Sequence, residues 1–538
     1  MNRGFSWHLP LTRRWQRFCL AAFFVLAPAV STVEAGAQAY DPLGHALTSA
    51  GNIANQDAPI PVQCYIQTIG KAGVSNSCWT CHTRPAGENR RNDEDLQYNY
   101  TFSETARTNH WHNLYVDLPS RTVQISDAEV LQYIREDNYG PLQLALRKRR
   151  EYQGYVPDLD FSQMFDTEGF ARDGSGWRAF RYKPFPAPLL WPTNGNTQDV
   201  MIRLPAKFRA DLAGKASREV YKRNFAILEA AIAVGPDTRE DQRKRKKREK
   251  SLSDRLPVYY VGGAASVAVH RYLFPKGTEF LHTVRYLDPD AEGLLSTRMK
   301  EVRYARKVAW LDTWARNLAY EVELQEKFEG LAPMFSFSGS PEVGLRNSFG
   351  WQYQAFIEDE AGRLRLQSHE ELLFCMGCHS SLGITVDQTF SFARKIPKEK
   401  GWRHQSLQGM ADVPQSGHDV PEILTYLRRA KNGGGLGANK EFMQRFFRNG
   451  ILDETKVRRA SPGGDRDITF LLVPSRDRAM RLNKAAMELV RRQRFTGGRE
   501  LVLTPFLNLY SEVKRSTTGL LENEKVFSDG RLWLDWSE

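Results

Sequence analysis

A pentapeptide with the pattern Cys-x-x-Cys-His occurs twice in this chain of 538 residues, at residues 78–82 and 375–379. Two intervening residues place both thiols on one face of a single helical turn. The histidine follows directly, so each pentapeptide offers two sulfur atoms and one imidazole at the same point of the chain. Four of the six cysteines belong to these two copies. Any fold of this chain has to accommodate both.

This pattern is typical of the attachment site of a c-type haem. The two thiols bond to the haem, and the histidine supplies an axial ligand to the iron. The sequence therefore predicts two covalently bound haem c groups. The predicted cofactor-binding residues are Cys78, Cys81, His82, Cys375, Cys378 and His379, with His82 and His379 as the metal ligands.

Two other kinds of site use paired cysteines. A zinc ribbon keeps its two pairs within about 15 to 20 residues of each other, whereas these pairs lie at residues 78–81 and 375–378. A thioredoxin-like pair opens the helix of a βαβ unit, and residues 85–87, Pro-Ala-Gly, interrupt the chain just after the first pair. Neither alternative accounts for both histidines.

The two motifs and the export signal described below make the chain resemble periplasmic dihaem cytochromes c. The resemblance covers the ten motif residues. It implies thioether bonds at the four motif cysteines and proximal ligation by His82 and His379. Dihaem peroxidases and dihaem rubber oxygenases also pair two such motifs, so they are the enzymes to which the chain is compared.

The N-terminus indicates export. Three arginines within residues 13–17 precede an apolar stretch at residues 18–30, and small residues follow at 35–39. This is the pattern of a secretory signal peptide, predicted to span residues 1–39. The apolar stretch is shorter than the about 20 residues that cross a bilayer. We therefore expect a soluble, periplasmic mature protein without an integral membrane segment.

The chain is basic, with a formal net charge of +12. Residues 239–250 contribute strongly, because they contain eight basic and three acidic side chains. Such a run is typical of a solvated linker, and it also offers a docking site for an acidic redox partner. Nucleic acid is not expected as a partner of an exported haem protein. Cys64 is the cysteine left over in the mature chain, expected to be a small buried residue or, less favoured, a redox-active or intermolecular thiol.

The length exceeds what one hydrophobic core supports, so we expect several domains. The predicted division is a signal peptide (1–39), a first haem module (40–150), a mixed α/β insert (151–340), a second haem module (341–430) and a mainly helical C-terminal region (431–538). The predicted fold class is mainly α with a mixed α/β insert. Two cytochrome c-like haem modules would be separated by a strand-containing region.

Local signals predict several elements. Capping boxes at residues 126–129 and 368–371 predict two helices, the second of which would carry Cys375 and Cys378. Two further helices are expected from Ser217 and from Ser475. Strands are predicted at 258–261, 267–274 and 280–287, and a hairpin around residues 359–362. The helical spacing of three apolar side chains within 308–328 predicts that they are buried. These are Trp310, Trp314 and Leu318.

The sixth iron ligand decides whether a haem only transfers electrons or also binds a small molecule. For the first haem the candidates in the sequence are His110 and His112. For the second haem they follow the motif within a loop-like segment, and a methionine there would raise the reduction potential. They are His404, Met410 and His418. Three histidines further away remain open as ligands from another module, namely His270, His282 and His369.

Three functions follow from these residues. The first is electron transfer by two six-coordinate haems. The second is a peroxidase- or oxygenase-type enzyme with one open haem site, which the long segment between the motifs favours. The third is a haem-based sensor or binding protein. The catalytic residues, the substrate and the redox partner are not predicted.

Overall fold

The computed structural model describes residues 40–44, 53–70, 73–83, 97, 102–186, 192–233, 256–329, 337–430, 438–514, 517–521 and 533–537. The predicted signal peptide and the basic run at 239–250 lie outside the described residues. All elements named here belong to the unit Asp41–Glu538. The predicted boundaries between haem modules and insert stay a prediction.

Antiparallel strands form the largest element of the fold. A short hairpin of β1 (Gln67–Gly70) and β2 (Gly73–Asn76) precedes the first motif. An eight-stranded sheet then collects segments from the middle of the chain, in the order β3-β4-β5-β6-β9-β8-β7, with β10 paired to β9. Its strands are β3 (Arg178–Ala179), β4 (Thr197–Arg203), β5 (Glu279–Leu287), β6 (Leu295–Lys307), β7 (Ser338–Ser340), β8 (Gly344–Arg346), β9 (Trp351–Glu358) and β10 (Leu364–Leu366). A third small pair joins β11 (Phe447–Arg448) to β12 (Ile451–Leu452).

Ten α-helices surround these strands in the described ranges. They are α1 (Asp127–Arg135), α2 (Tyr139–Arg147), α3 (Arg218–Ile232), α4 (Thr313–Phe328), α5 (His369–Cys378), α6 (Glu422–Arg429), α7 (Lys440–Phe446), α8 (Glu454–Val457), α9 (Thr469–Leu472) and α10 (Arg476–Arg492).

Serine side chains start four of these helices as the sequence predicts. Ser126, Ser217, Ser368 and Ser475 each accept a hydrogen bond from a backbone N–H in the first turn of their helix. Each cap satisfies a donor that the helix itself leaves unpaired. The predicted hairpin is also confirmed, because β9 and β10 pair on either side of it. Of the three predicted strands, the one at 280–287 is confirmed as β5, whereas the other two are represented by one isolated bridge between Tyr259 and Ala268.

The large sheet separates a packed core from a cavity, because successive side chains of a strand point to opposite faces. Leu281, Val302 and Phe356 lie in one core cluster with Leu142 and Leu146 of α2. Polar and aromatic side chains of β4, β5, β6 and β9 occupy the alternate positions and line a cavity. They include Gln198, His282, Arg303 and Tyr353.

The predicted fold class is wrong. The centre of the structure is an antiparallel sheet, and the first Cys-x-x-Cys-His motif lies in a single 3-10 turn at Ser77–Thr80 after a β-hairpin, not in a helical haem module. The physical reason is that β6 contains many charged side chains and is not recognisable as a strand from its composition. Its backbone groups are satisfied by β5 on one side and, on the other, by β9 from a more distant part of the sequence. The periodicity of apolar residues along a sequence does not show which strands pair with one another.

The prediction that Trp310, Trp314 and Leu318 are buried is wrong as well. Their exposed fractions are 38%, 73% and 50%. Helix α4 buries a neighbouring stripe instead, in which Ala319 and Tyr320 cluster with Phe349. Helical spacing alone identifies a stripe but not the side of the helix that meets the core.

Four buried charged side chains connect distant parts of the fold. Lys183 Nζ lies 2.5 Å from Glu422 Oε2 and 3.0 Å from Asp412 Oδ1, and Arg394 donates two further hydrogen bonds to Glu422. Burial raises the pKa of Asp412 even with Lys183 beside it. The carboxylate therefore depends on that cation for its charge.

We expect Lys183→Met to destabilise the protein by about 3 to 5 kcal/mol, because it leaves Asp412 buried and without its cation. Denaturant unfolding monitored by circular dichroism measures the change. The double variant Lys183→Met/Asp412→Leu should recover much of the loss, and Lys276→Met, at an exposed lysine, serves as the control. A loss below about 1 kcal/mol in Lys183→Met would contradict the expected cost of an unpaired buried charge.

Candidate functional site

One cavity contains both Cys-x-x-Cys-His motifs. It has a volume of about 580 Å³ and is bounded by the sheet, by helix α5 and by the segment that precedes the first motif. All six predicted cofactor-binding residues line it, namely Cys78, Cys81, His82, Cys375, Cys378 and His379. The fold thus brings together two motifs that are far apart in the sequence.

Helix α5 positions the second motif. A complete capping box starts it, in which the Ser368 and Glu371 side chains bond each other's backbone N–H groups. Arg365 holds Glu371 through two hydrogen bonds of 2.9 and 3.0 Å in the buried interior. The helix ends at Cys378, and His379 is its C-cap with non-helical φ and ψ angles. The predicted helix that carries both cysteines is therefore confirmed.

The same helix contacts the chain ahead of the first motif. Glu370 accepts hydrogen bonds from the backbone N–H groups of Ala54 and Asn55 at 3.0 and 2.8 Å. A Cβ atom at Gly377 would lie 1.8 Å from the carbonyl oxygen of Pro59. Only glycine permits this approach. Gly377, one of the two x positions of the second motif, is thus part of the packing against the segment ahead of the first motif.

The β1–β2 hairpin positions the first motif. The Cys78 thiol donates to Asn76 Oδ1 at 2.9 Å, and the Trp79 indole donates to Thr68 Oγ1 at 3.0 Å. The backbone N–H of Ile384, just after the second motif, donates to the carbonyl of Cys81 at 3.2 Å. This bond links the first motif to the segment that follows the second motif.

His379 is held as a neutral ligand-type imidazole. Its Nδ1 lies 2.7 Å from the backbone carbonyl of Gln388. A carbonyl only accepts, so Nδ1 carries the proton and Nε2 keeps its lone pair. Burial lowers the pKa of His379 to about 4, and the ring contacts Tyr353 and Phe390 at centroid distances of 4.7 and 5.8 Å. Histidines that bind a metal through one ring nitrogen ordinarily donate a hydrogen bond through the other ring nitrogen.

The loop that supplies this carbonyl is strained. Asp387 and Gln388 are consecutive non-glycine residues with φ of 48° and 58°, in the left-handed region. Each such residue costs of the order of 1–3 kcal/mol. Asp387 accepts a 2.6 Å bond from buried Lys307 and a 3.0 Å bond from the backbone N–H of Phe274. These contacts hold the loop in the conformation that orients His379.

Burial raises the pKa of two of the motif thiols, Cys78 and Cys378, to about 12. The charge of Cys81 contributes to the shift at Cys378, so the two motifs lie within electrostatic range of each other. A dithiol redox centre needs a lowered thiol pKa. These cysteines therefore lack the electrostatics of a thioredoxin-like site.

The sheet supplies the polar side chains of the opposite wall. His282 Nε2 lies 3.2 Å from Gln198 Oε1, and burial together with the nearby Arg303 lowers its pKa to about 3. Arg303 donates to Glu301 at 2.9 Å. Its positive charge also acts on the pKa of Cys375, which burial raises. Arg303 and Arg499 both act on Cys375, so two cations lie close to the second motif.

A more polar part of the cavity contains Lys300 and Glu358. Burial raises the pKa of Glu358 to about 7, although Tyr286 and Tyr133 donate hydrogen bonds of 2.6 and 2.7 Å to its carboxylate. Burial lowers the pKa of Lys300 to about 7. This region therefore contains groups that exchange protons near neutral pH.

The five sixth-ligand candidates next to the motifs in sequence lie outside the cavity lining, as do His270 and His369, whereas His282, the third of the more distant histidines left open, lines it. His112 is exposed, and His110 bonds the carbonyl of Thr105. His404 pairs with the buried carboxylate of Asp199 at 2.9 Å. Met410 belongs to the largest core cluster, and His418 is half-buried in a loop. Proximity in sequence did not bring any of the five to the motifs.

His282 is the cavity residue that these five candidates omitted. In the sequence, His282 is a polar residue within an apolar strand, and it alternates with Phe280 and Val284 on one face of that strand. This pattern is the feature that could have identified it. Cys64 also lines the cavity. It is partly buried, whereas the sequence predicts a small buried residue.

Comparison with known proteins identifies a family. A model of a protein family described as "-like lipoprotein" matches residues 48–420, more than half of the chain. An uncharacterized lipoprotein of Aquifex aeolicus (strain VF5) is 36% identical over 386 residues, which are 66% of this chain. The chain spans 64% of the length of that relative. No solved structure matches.

These matches correct the assignment to the dihaem cytochromes c. The family matched is a lipoprotein family, so cytochrome, haem and electron transfer are not properties that family membership gives this chain. The motifs are local, and a local site is not evidence of a shared fold. No helix in the described part of the chain has the length and apolar character to cross a membrane. Export is supported by the family, and we conclude that the chain belongs to the family of lipoproteins matched at residues 48–420.

Proposed function

We propose that this protein is an exported electron-transfer protein in which the two motifs that line the cavity would each hold one covalent haem group. The observation that carries the proposal is the convergence of four thiols and two imidazoles from two distant motifs on one buried space. Cys78, Cys81 and His82 would hold one haem, and Cys375, Cys378 and His379 the other. Each haem would supply reversible one-electron chemistry at its iron.

The residues of the second motif fit a haem closely. His379 is neutral, and its Nδ1 proton is directed to the carbonyl of Gln388, which leaves Nε2 for a metal. The strained residues Asp387 and Gln388 are fixed by the buried ion pair with Lys307. Strain is retained where the surrounding structure stabilises it, and such sites are commonly functional. This support favours a ligand role over an ordinary core histidine.

The shared cavity favours electron transfer between the two groups. The backbone bond from Ile384 to Cys81 and the electrostatic influence of Cys81 on Cys378 indicate that little protein separates the motifs. The protonated thiols in this cavity are poor nucleophiles, which favours a structural attachment role over thiol catalysis.

We place the protein in the periplasm, at a membrane surface. Lipoproteins are held by lipid anchors, so a redox partner would be met at that surface. The partner that the charge pattern favours is an acidic redox protein, because residues 239–250 are strongly basic.

A second candidate function is a peroxidase- or oxygenase-type reaction at one open haem. The polar part of the cavity favours it, since Glu358 and Lys300 have pKa values near the working pH of a general acid or base. The two functions differ in whether added peroxide is consumed. Peroxide turnover by the haem-loaded protein would favour the enzyme.

Each cysteine pair should hold one haem. We expect Cys78→Ser/Cys81→Ser and Cys375→Ser/Cys378→Ser each to lose one of two covalent haems, because a thioether needs the thiol. Intact-protein mass spectrometry of protein exported by a host with haem-attachment machinery counts them. Cys64→Ser is the matched control, since this thiol lines the same cavity outside the motifs. Wild-type protein without covalent haem would refute the proposal.

The titration of Glu358 should be visible in stability. The ordinary pKa of 4.5 is raised to about 7 in the folded state, so the folded protein holds a proton that the unfolded chain releases between these values. This group's contribution to the free energy of unfolding therefore falls as the pH rises from about 4.5 to about 7.

We expect Glu358→Gln to remove this fall. Relative to wild type, the variant should gain about 2 to 3 kcal/mol between about pH 5 and about pH 7.5. Urea unfolding at both pH values measures it. Glu360→Gln, at an exposed glutamate nearby in the chain, should show no such gain. An equal pH dependence of wild type and Glu358→Gln would contradict the raised pKa.

A further inference from the structure

We infer that His282 is the sixth ligand of the iron whose proximal ligand is His379. The inference rests on the proposed function and adds to it an axial ligand that the five candidates next to the motifs in sequence do not supply. It makes the second haem a six-coordinate site with two histidines.

The position of His282 in the sheet carries the inference. Among the described residues that line the cavity, it is the one histidine outside the two motifs. It lies on the central strand β5, opposite Val200 of β4 and Arg303 of β6. A ligand on paired central strands is held more precisely than one on a loop.

His282 and His379 enter the cavity from different walls. Tyr353 of β9, which contacts the His379 ring at 4.7 Å, shares the sheet face with His282 and lies two strands away. His379 itself comes from the end of helix α5. The sheet therefore supplies a histidine to the same cavity that receives the proximal histidine from the end of helix α5.

The chemistry of the His282 ring suits a metal. Its Nε2 lies 3.2 Å from Gln198 Oε1, an oxygen that only accepts, so Nε2 carries the proton and Nδ1 keeps its lone pair. Metal-bound histidines characteristically have such a partner.

Low-temperature EPR of the oxidised protein, after the covalent haems are counted by mass spectrometry, tests the inference. Wild type should carry two haems, with the second one low-spin. His282→Ala should keep both haems but lose one low-spin signal, replaced by a high-spin signal. Added imidazole should restore the low-spin signal, because it fills the vacated position.

His282→Met is the second variant and decides the case if His282→Ala does not fold. Methionine keeps the iron six-coordinate but raises the midpoint potential of that haem, so one of two potentials should shift upward. His112→Ala, at an exposed histidine, is the matched control and should change neither spectrum nor potential.

Each other result overturns the inference in a distinguishable way. Unchanged low-spin signals in His282→Ala, or an unchanged pair of potentials in His282→Met, would exclude His282 as a ligand while leaving two haems in place. A second haem that is already high-spin in wild type would exclude it too. Absence of covalent haem from wild type would refute the proposed function itself, as the mass measurement shows before any spectrum is recorded.

Discussion

The close packing of helix α5 against the segment ahead of the first motif is the contact on which the rest of the site depends. Gly377 approaches the carbonyl oxygen of Pro59 so closely that no side chain could be accommodated, and Glu370 fixes the neighbouring backbone at Ala54 and Asn55. This contact holds the segment ahead of the first motif against the helix that carries the second, and both motifs line one cavity.

The protein maintains several unfavourable features around the cavity. Asp387 and Gln388 adopt left-handed backbone conformations, and the ion pair that fixes them places Lys307 in the interior. Burying two charges costs free energy, and the attraction between them does not always offset that cost. The strained loop nevertheless directs a carbonyl to His379. These local costs accumulate at the second motif, which supports a role for it beyond packing.

Local elements were predicted well and their arrangement was not. The serine caps at 126, 217, 368 and 475 depend on side chains within a few residues of the backbone they bond, so the sequence is sufficient. Trp314 shows the limit. Its helix was predicted correctly, but which side of it meets the core depends on Phe349, a residue of another segment. The large sheet was missed for the same reason, since its central strands pair across long sequence distances.

By itself the sequence determined the composition of the two motifs, because Cys-x-x-Cys-His fixes the spacing of two thiols and one imidazole within a few residues. It did not determine that they share a cavity, or that the chain is built on an antiparallel sheet in a lipoprotein family. Nor did it favour His282 over His110, His112, His404, Met410 or His418. Those outcomes depend on contacts between segments separated by hundreds of residues. Only the tertiary structure decides them, because burial and hydrogen bonding are satisfied globally rather than along the chain.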